Sequence, residues 1–233
     1  MTRGTVADVD DTSERRDRPR GIIFDLDGTL ADTLPVCFDA YRLAFTKYVA
    51  HAWTDDQISA LFGPSEEGVI RQVVPTRVEE CLEDYLRHYD RCHERCQRPF
   101  AGIDALLVRL RRGRRPLALV TGKGPRSTRI SLRRLDLAHV FDQVEVGSPA
   151  GSIKVEAIRR VVTRWTLDAS QVAYVGDSPH DVVAAREAGV VSIAAAWADA
   201  ESIPKLREAK PDALFTSVET LSEWLGESSA CGR

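Results

Sequence analysis

The stretch that decides the fold is GIIFDLDGTL, at residues 21–30. Its first four residues form a short apolar run, which predicts a buried strand. Asp25 and Asp27 follow this run directly, and Gly28 supplies the freedom that a tight turn needs. A buried strand that ends at two carboxylates suits an open parallel sheet, because such sheets bind ligands at the carboxyl ends of their strands.

The chain beyond Pro99 alternates between helical and strand-like segments. Strands are predicted at residues 116–120, 144–146, 172–175, 191–195 and 213–215, and helices near residues 102–113, 125–136, 153–165 and 179–188, with a last helix at the end of the chain. This alternation predicts an α/β fold, with a Rossmann-like three-layer α/β/α core built on a parallel sheet.

Residues 36–98 have helical spacing instead and no convincing strand. Phe38, Tyr41, Phe45 and Tyr48 follow one another at intervals of three and four residues, which predicts the apolar face of a helix. We interpret residues 35–98 as an all-helical domain inserted into a second domain made of residues 21–34 and 99–233. Residues 1–20 are polar and show no apolar period, so we predict a disordered leader there.

Charge and composition limit the possible partners. The 233 residues carry 32 basic and 35 acidic side chains, spread along the chain, with a formal net charge of −3. This balance gives no electrostatic footprint for nucleic acid and favours a small-molecule partner. The sequence has neither the run of about 18 apolar residues that a membrane span needs nor a signal-peptide pattern, so we expect a cytoplasmic protein without a membrane partner.

Cysteine and lysine usage add two observations. The 5 cysteines are an odd number without the spacing of a disulfide framework, which suits a reducing compartment. The positive charges are mostly arginines, and lysines occur only at positions 47, 123, 154, 205 and 210. In such a chain, a lysine retained beside a motif gains weight as a point charge.

Four polar clusters stand at the ends of predicted strands or before a predicted helix. They are Asp25 and Asp27, then Thr121-Gly122, then Lys154, and finally Gly176-Asp177. A parallel sheet brings strand ends that are distant in sequence to one edge, so we expect these clusters to converge.

These residues resemble, in order, the four motifs of the haloacid dehalogenase superfamily. The resemblance rests on DLDGT at residues 25–29, Thr121, Lys154 and GDSPHD at residues 176–181. It covers roughly residues 21–226 and is closest to the phosphoglycolate-phosphatase-like members, which carry a helical cap after the first motif. It implies a Mg²⁺-dependent phosphatase that hydrolyses a small phosphomonoester through an aspartyl-phosphate. Family members commonly have proline after the motif lysine, where this chain has Val155.

The resemblance also implies roles for the acidic residues. Asp25 is the expected nucleophile, and Asp27 the acid for the leaving alcohol and then the base for water. An attacking carboxylate and a phosphoryl group repel by about 4 kcal/mol per unit-charge pair at 4 Å and an effective dielectric near 20. Mg²⁺ held by the Asp25 carboxylate, the Asp27 backbone carbonyl and the Asp177 carboxylate would offset this repulsion.

Other residues are expected to contact the phosphoryl group or support the site. Lys154 would act as a point charge on the phosphoryl oxygens, Thr121 would donate its hydroxyl, and Gly122 its backbone N–H. Asp181, with Ser178 beside it, would orient Lys154 or metal-bound water. The remaining candidates for phosphate or substrate binding are Gly28, Thr29, Lys123 and Arg71. For Lys123, the sequence favours a solvated loop residue over a phosphate contact.

Several alternatives stay open at this stage. A phosphomutase would use the same nucleophile and acid/base pair, and a non-catalytic regulatory protein could retain the fold. His88, Cys92 and Cys96 are spaced to share a helix face and could bind zinc, although packed thiols are favoured. His180 could act as a base, although surface placement is favoured. The sequence is compatible with a monomer or a homodimer.

Overall fold

The computed structural model describes residues 18–226, so the predicted disordered leader at residues 1–20 falls almost wholly outside the described residues. Six parallel strands form one sheet in the order β3-β2-β1-β4-β5-β6. The strands are β1 (Gly21–Phe24), β2 (Leu117–Val120), β3 (Gln143–Glu145), β4 (Val172–Gly176), β5 (Val191–Ala195) and β6 (Ala213–Phe215). The helices are α1 (Leu34–Thr46), α2 (Asp55–Ser59), α3 (Glu66–Val73), α4 (Val78–Cys92), α5 (Ile103–Arg112), α6 (Pro125–Arg134), α7 (Lys154–Trp165), α8 (Pro179–Ala188), α9 (Ile203–Glu208) and α10 (Val218–Leu225).

Strand β1 lies at the centre of the sheet, and all four of its residues are buried. It pairs with β2 on one side and with β4 on the other. Strands β2 and β3 are added on the first side and β4 to β6 on the second, so the strand order reverses its direction at β1. Such a reversal opens a crevice at the carboxyl ends of the central strands, where ligands bind in open α/β sheets. The DLDGT stretch and the Gly176-Asp177 stretch both leave the sheet at this crevice.

The two faces of the sheet are covered by different helices. Ile22 and Phe24 belong to an apolar cluster that also contains residues of α5 and α10, whereas Ile23 packs in a second cluster with residues of α7 and α8. Because successive side chains of a strand point to opposite faces, this division places helices on both sides of the sheet. The predicted three-layer α/β/α core with a parallel sheet is confirmed.

Residues 34–95 contain α1 to α4 and a 3₁₀ turn at His93–Arg95, with no strand. The predicted aromatic face of α1 is packed, because Tyr41 and Phe45 are buried and the Tyr41 ring centroid lies 4.4 Å from that of Tyr85 on α4. These helices share one continuous apolar cluster with the core. The division into a cap at residues 35–98 and a two-part core therefore stays a prediction.

Helix α6 contacts α4 and the 3₁₀ turn that follows it. Its Ser131 hydroxyl lies 2.7 Å from the Tyr89 hydroxyl and 3.1 Å from His93 Nε2. Arg126 forms an ion pair with Glu83 of α4 at 2.5 Å. Polar contacts thus join the inserted helices to α6 at more than one point.

The zinc hypothesis for residues 88–96 is wrong. Helix α4 ends at Cys92, and Cys96 follows the 3₁₀ turn, so the three side chains do not share one helix face. Cys96 is buried and Cys92 is half-buried, as expected of packed thiols. Within residues 18–226, the acidic group near β1 and β4 is the one set of potential ligands close enough to hold a metal ion. The same part of the chain has no helix that is long and apolar enough to cross a membrane.

Candidate active site

Asp25 stands at the end of β1, where its backbone N–H donates to the carbonyl of Val175 on the neighbouring strand β4. Its side chain is almost fully buried. Lys154, the first residue of α7, directs its ammonium group to Asp25 Oδ2 at 3.0 Å and to Asp181 Oδ1 at 2.5 Å. The first motif, the lysine and the last motif therefore meet at the crevice, as their positions after the strands predict.

Asp181 is held by its own surroundings and has little capacity left for another ligand. Its Oδ1 also accepts from the Tyr174 hydroxyl at 3.0 Å, and its Oδ2 accepts from the Ser178 hydroxyl at 2.6 Å and the Ser178 N–H at 3.1 Å. Ser178 is at the same time the N-cap of α8. Asp181 is therefore placed to fix Lys154, and Ser178 is placed to fix Asp181.

The acidic group consists of Asp25, Asp177 and Asp181, whose potential ligand atoms lie within 4.8 Å of one another. Asp25 Oδ1 is buried and has no hydrogen-bond partner within residues 18–226. Gly28 has a φ of +69°, and a side chain at this position would collide with the Asp177 carboxylate. The turn after β1 therefore needs glycine both for its conformation and for the close approach of Asp177. A buried, unpartnered carboxylate oxygen beside two further carboxylates fits a divalent cation.

The electrostatics of this group show an excess of negative charge. Burial raises the pKa of Asp25 to about 7, with Asp181 and Asp27 adding repulsion and Lys154 opposing them. Burial, with repulsion from Asp181 and Asp25, also raises the pKa of Asp177 well above its usual value. Lys154 alone does not compensate these carboxylates, so a bound cation would stabilise their ionised forms.

Asp27 has a side chain that is bound through one oxygen only. Its Oδ1 accepts from the Thr33 hydroxyl at 2.5 Å and lies 3.3 Å from Lys123 Nζ and 3.8 Å from Cys37 Sγ. Among the residues of the described part of the chain, none donates to Oδ2. The carboxyl group is therefore oriented on one side and left available for proton transfer on the other.

Lys123 corrects the interpretation drawn from the sequence, which favoured a solvated loop residue. Its side chain is only 5% exposed. Besides Asp27, the ammonium group contacts Cys37 Sγ at 2.8 Å and lies 4.5 Å from the centre of the Tyr89 ring. Burial disfavours the ammonium form, but Asp27, Cys37, Tyr89 and Glu66 outweigh burial and raise the pKa of Lys123 well above its usual value. Residues of α1, α3 and α4 shield it from solvent, which local sequence does not show.

Glu66 is a site residue that the sequence analysis missed. It is the first residue of α3 and is buried, although the sequence of its segment, residues 63–68, is as typical of a plain helix start as of a specificity loop. Its carboxylate accepts from the Gly124 N–H at 2.5 Å and the Ser127 hydroxyl at 2.6 Å, and lies 3.8 Å from Lys123 Nζ. The acidic first turn of α3 was the available signal, but it is equally typical of an exposed helix start.

The remaining candidates are placed as follows. Thr121 is buried at the end of β2, and its hydroxyl oxygen accepts from the Lys123 N–H at 3.3 Å, while Gly122 beside it is half-buried. The Thr29 hydroxyl is buried without a partner in the described part of the chain. Arg71 and His180 are exposed, and Arg71 forms no hydrogen bond or ion pair within residues 18–226, so its role in substrate binding stays a prediction.

Comparisons with known proteins agree with this arrangement. Residues 22–195 match the family model described as haloacid dehalogenase-like hydrolase. A phosphoglycolate phosphatase of Synechococcus elongatus is 30% identical over 180 residues, which cover 76% of this chain and 84% of that protein. The pyrophosphatase PpaX of Halalkalibacterium halodurans is 24% identical over 207 residues, covering 88% and 96%.

A solved structure supports the fold. The structure of a CbbY variant from Rhodobacter sphaeroides, in complex with xylulose-(1,5)-bisphosphate, has a TM-score of 0.74 at 18% identity and covers 86% of this chain and 95% of that one. The family match spans most of the chain and includes the residues that converge at β1 and β4. The chain belongs to the haloacid dehalogenase-like hydrolase family and is a phosphatase.

Proposed function

We propose that this phosphatase depends on Mg²⁺ and hydrolyses a small phosphomonoester through an aspartyl-phosphate on Asp25. The observation that carries the proposal is the environment of Asp25. One carboxylate oxygen is paired with Lys154, and the other is buried without a partner within the described residues, beside an acid group that can exchange protons. A nucleophile, a positive charge and an acid/base thus converge on one small region.

The donor set favours a hard divalent cation. The Asp25 and Asp177 carboxylates and the Asp27 backbone carbonyl would hold it, since the Asp181 oxygens are already engaged by Lys154, Tyr174 and Ser178. Carboxylate and carbonyl oxygens are the ligands that Mg²⁺ prefers, whereas zinc and copper sites favour nitrogen and sulfur. When bound, the cation would offset the repulsion between the attacking carboxylate and the phosphoryl group.

The protein residues then divide the reaction into two displacements. In the first, an Asp25 oxygen bonds to phosphorus, the ester P–O bond breaks, and Asp27 gives its proton to the departing alcohol. In the second, Asp27 takes a proton from water as the water oxygen bonds to phosphorus, and the bond to Asp25 breaks to release orthophosphate. Lys154 and the Thr121 hydroxyl would stabilise the charge on the phosphoryl oxygens in both steps.

The leaving group would approach Asp27 at Oδ2, to which no residue of the described part of the chain donates. Lys123 and Cys37 lie at Oδ1 and both are buried, so we expect space beside Asp27 only for a small leaving group. The matched proteins named above act on phosphoglycolate and on pyrophosphate, or bind a phosphorylated sugar. These three compounds are therefore the first substrates to test. A cytoplasmic location and a monomeric or homodimeric state are part of this proposal.

A phosphate-release assay on the three candidates, with Mg²⁺ and then with chelator, tests the proposal. We expect turnover that disappears in chelator and returns with Mg²⁺ but not with Ca²⁺, whose looser and larger coordination would misplace Asp25. Rapid quenching should trap phosphate on the protein, and the trapped phosphate should be absent from Asp25→Asn. Full activity in chelator would refute the metal, and an isomerised product without phosphate release would identify a phosphomutase.

A further inference from the structure

Helix α6 begins without an N-cap side chain of its own. Gly124 is its N-cap residue, and Pro125 follows with no backbone N–H to offer. The carboxylate of Glu66, from α3, binds at this end of the helix instead, since it accepts from the N–H of the N-cap residue Gly124 and from the Ser127 hydroxyl. A residue of one segment thus bonds to the start of a helix of another, and its negative charge lies at the positive end of the α6 dipole.

The burial of Glu66 depends on the cap being docked. Glu66 is 5% exposed, and Ser127 is fully buried against it. A buried carboxylate is costly unless it is hydrogen-bonded or paired, and the partners of Glu66 are all supplied by residues 123–127 of the core. Moving α3 away from α6 would break all of these interactions in one step.

The fit around Gly124 is steric as well as polar. A Cβ atom at Gly124 would lie 2.8 Å from Glu66 Oε2 and 2.7 Å from Glu67 Oε2. The φ of Gly124 is −69°, which any residue can adopt. The backbone therefore tolerates alanine at position 124, but the carboxylate ends of Glu66 and Glu67 would have to move away from it.

This contact lies one residue from the side chain that reaches Asp27. Lys123 precedes Gly124, and its ammonium group lies between Asp27 Oδ1 at 3.3 Å and Glu66 Oε1 at 3.8 Å. The Lys123 carbonyl is fixed by the Gly147 N–H at 2.6 Å, and the N–H of the same peptide unit, on Gly124, is fixed by Glu66. Glu66 thus restrains Lys123 in two places: at the peptide unit that follows it and at its ammonium group.

We propose that Glu66 is a positioning residue that couples closure of the cap to the acid/base Asp27. With α3 docked on α6, Glu66 holds Lys123 beside Asp27 Oδ1, and this contact keeps the carboxyl group turned so that Oδ2 faces the leaving group. With α3 undocked, the Lys123 side chain is released. Proton transfer to the leaving group is then efficient only when the cap is closed. The kinetic part of this inference rests on the proposed function, whereas the docking part does not.

The NMR signal of the Gly124 amide reports directly whether α3 is docked on α6, and it can be measured without any enzymatic activity. In ¹⁵N-labelled full-length protein, an N–H that donates to a carboxylate should resonate downfield and exchange slowly with solvent. We expect Glu66→Gln to shift this resonance upfield and to speed its exchange at least tenfold. Glu67→Gln is the matched control, because Glu67 bonds to Ser65 within the cap and does not accept from Gly124. An unchanged Gly124 amide in Glu66→Gln would overturn the docking part.

Kinetics with two ester types tests the coupling to Asp27. An alkyl phosphate needs a protonated leaving group, whereas a nitrophenyl phosphate does not. We expect Glu66→Gln to lower kcat on the alkyl ester by roughly tenfold to a hundredfold, with less than about a threefold change on the nitrophenyl ester. Gly124→Ala should give the same split by displacing the Glu66 carboxylate from the Gly124 N–H while keeping Glu66. Matching melting temperatures exclude simple unfolding as the cause.

The outcomes separate the two proposals. A wild-type protein that hydrolyses neither ester, but in which Glu66→Gln still moves the Gly124 amide, contradicts the proposed function and leaves docking standing. An active wild type in which Glu66→Gln lowers both esters equally, or neither, overturns the coupling of Glu66 to Asp27.

Discussion

Lys154 and Lys123 are both buried ammonium groups that contact one of the two carboxylates after β1, but they are held by different parts of the molecule. Lys154 is fixed within the core, by Asp25 and by an Asp181 that Tyr174 and Ser178 hold in turn. Lys123 is fixed across the contact between core and cap, by Cys37, Tyr89 and Glu66. In the proposed mechanism, the phosphoryl side of the site is therefore formed by β1, β4, α7 and α8, whereas the leaving-group side also needs α1, α3 and α4 in place.

The largest expected effect lies within the phosphoryl side and contrasts the two carboxylates. Asp25→Asn should abolish both the phosphoenzyme and turnover, because an amide is a poor nucleophile and weakens the metal site. Asp27→Asn should keep its backbone carbonyl ligand and lose only the proton transfers, worth about 10² to 10⁴ in rate. With a nitrophenyl phosphate it should release a stoichiometric burst of nitrophenol, followed by slow turnover.

Quenched-flow measurement of nitrophenol and of trapped phosphate checks this contrast. A variant Asp27→Asn that gives neither burst nor phosphoenzyme would show that Asp27 has a structural role and not an acid/base one.

The next effect compares the two lysines directly. Lys154→Met should lower kcat on every substrate by roughly 10² to 10³, because Lys154 would stabilise the phosphoryl charge whatever the leaving group. Lys123→Met should lower kcat strongly on an alkyl phosphate and only weakly on a nitrophenyl phosphate, because Lys123 acts beside the proton donor. Steady-state kinetics on both esters measures the two ratios. Equal ratios for the two variants would remove the distinction between the two sides of the site.

The same comparison explains which parts of the site could be predicted from the sequence. Asp25 and Asp177 follow strands β1 and β4, and the carboxyl ends of parallel strands lie at one edge of a sheet, so the strand pattern predicts that they meet. The fold and this convergence were therefore predictable.

The positions of Lys123 and Glu66 were not predictable in the same way. Their burial depends on which face of α3 meets α6, and helical spacing in the cap gives no information about that pairing. One weak indication that Lys123 belongs to the site was present in the sequence, because it is a lysine beside a motif in a chain that mostly uses arginine. The indication for Glu66 was the acidic first turn of α3, but acidic residues are equally typical of an exposed helix start.

A smaller effect concerns pH and the metal. In the metal-free protein, burial raises the pKa of Asp25 to about 7, above its ordinary value of 3.8. The folded state then binds more protons than the unfolded state between these values, so stability falls as pH rises from about 4 to 7. Mg²⁺ favours the ionised carboxylates and should restore this loss.

The increase in Tm caused by Mg²⁺ should therefore be larger at pH 8 than at pH 5.5, by roughly 5 °C. Thermal unfolding at the two pH values measures it, with Asp25→Asn as the variant in which the difference should shrink. A larger Mg²⁺ effect at the lower pH would contradict the assignment of Asp25 to the metal site.

The smallest effect is expected at Arg71, which the sequence marked as a substrate-binding residue. Arg71 follows Glu66 by five positions on α3, which at 100° per residue places it about 140° around the helix. Glu66 faces α6 and is buried, and Arg71 is exposed. With α3 in this position, Arg71 forms no hydrogen bond or ion pair with any residue of the described part of the chain. We expect Arg71→Met to change kcat/KM by less than about threefold on any of the three candidate substrates, and to leave their order of preference unchanged. An exposed charge that makes no contact with the site acts on it only through screened, long-range interactions.

Steady-state kinetics of Arg71→Met, measured beside Glu66→Gln, compares the two faces of helix α3. A large change in preference in Arg71→Met would mean that α3 turns or moves when substrate binds, and that the specificity of the cap is set in an arrangement different from this closed one.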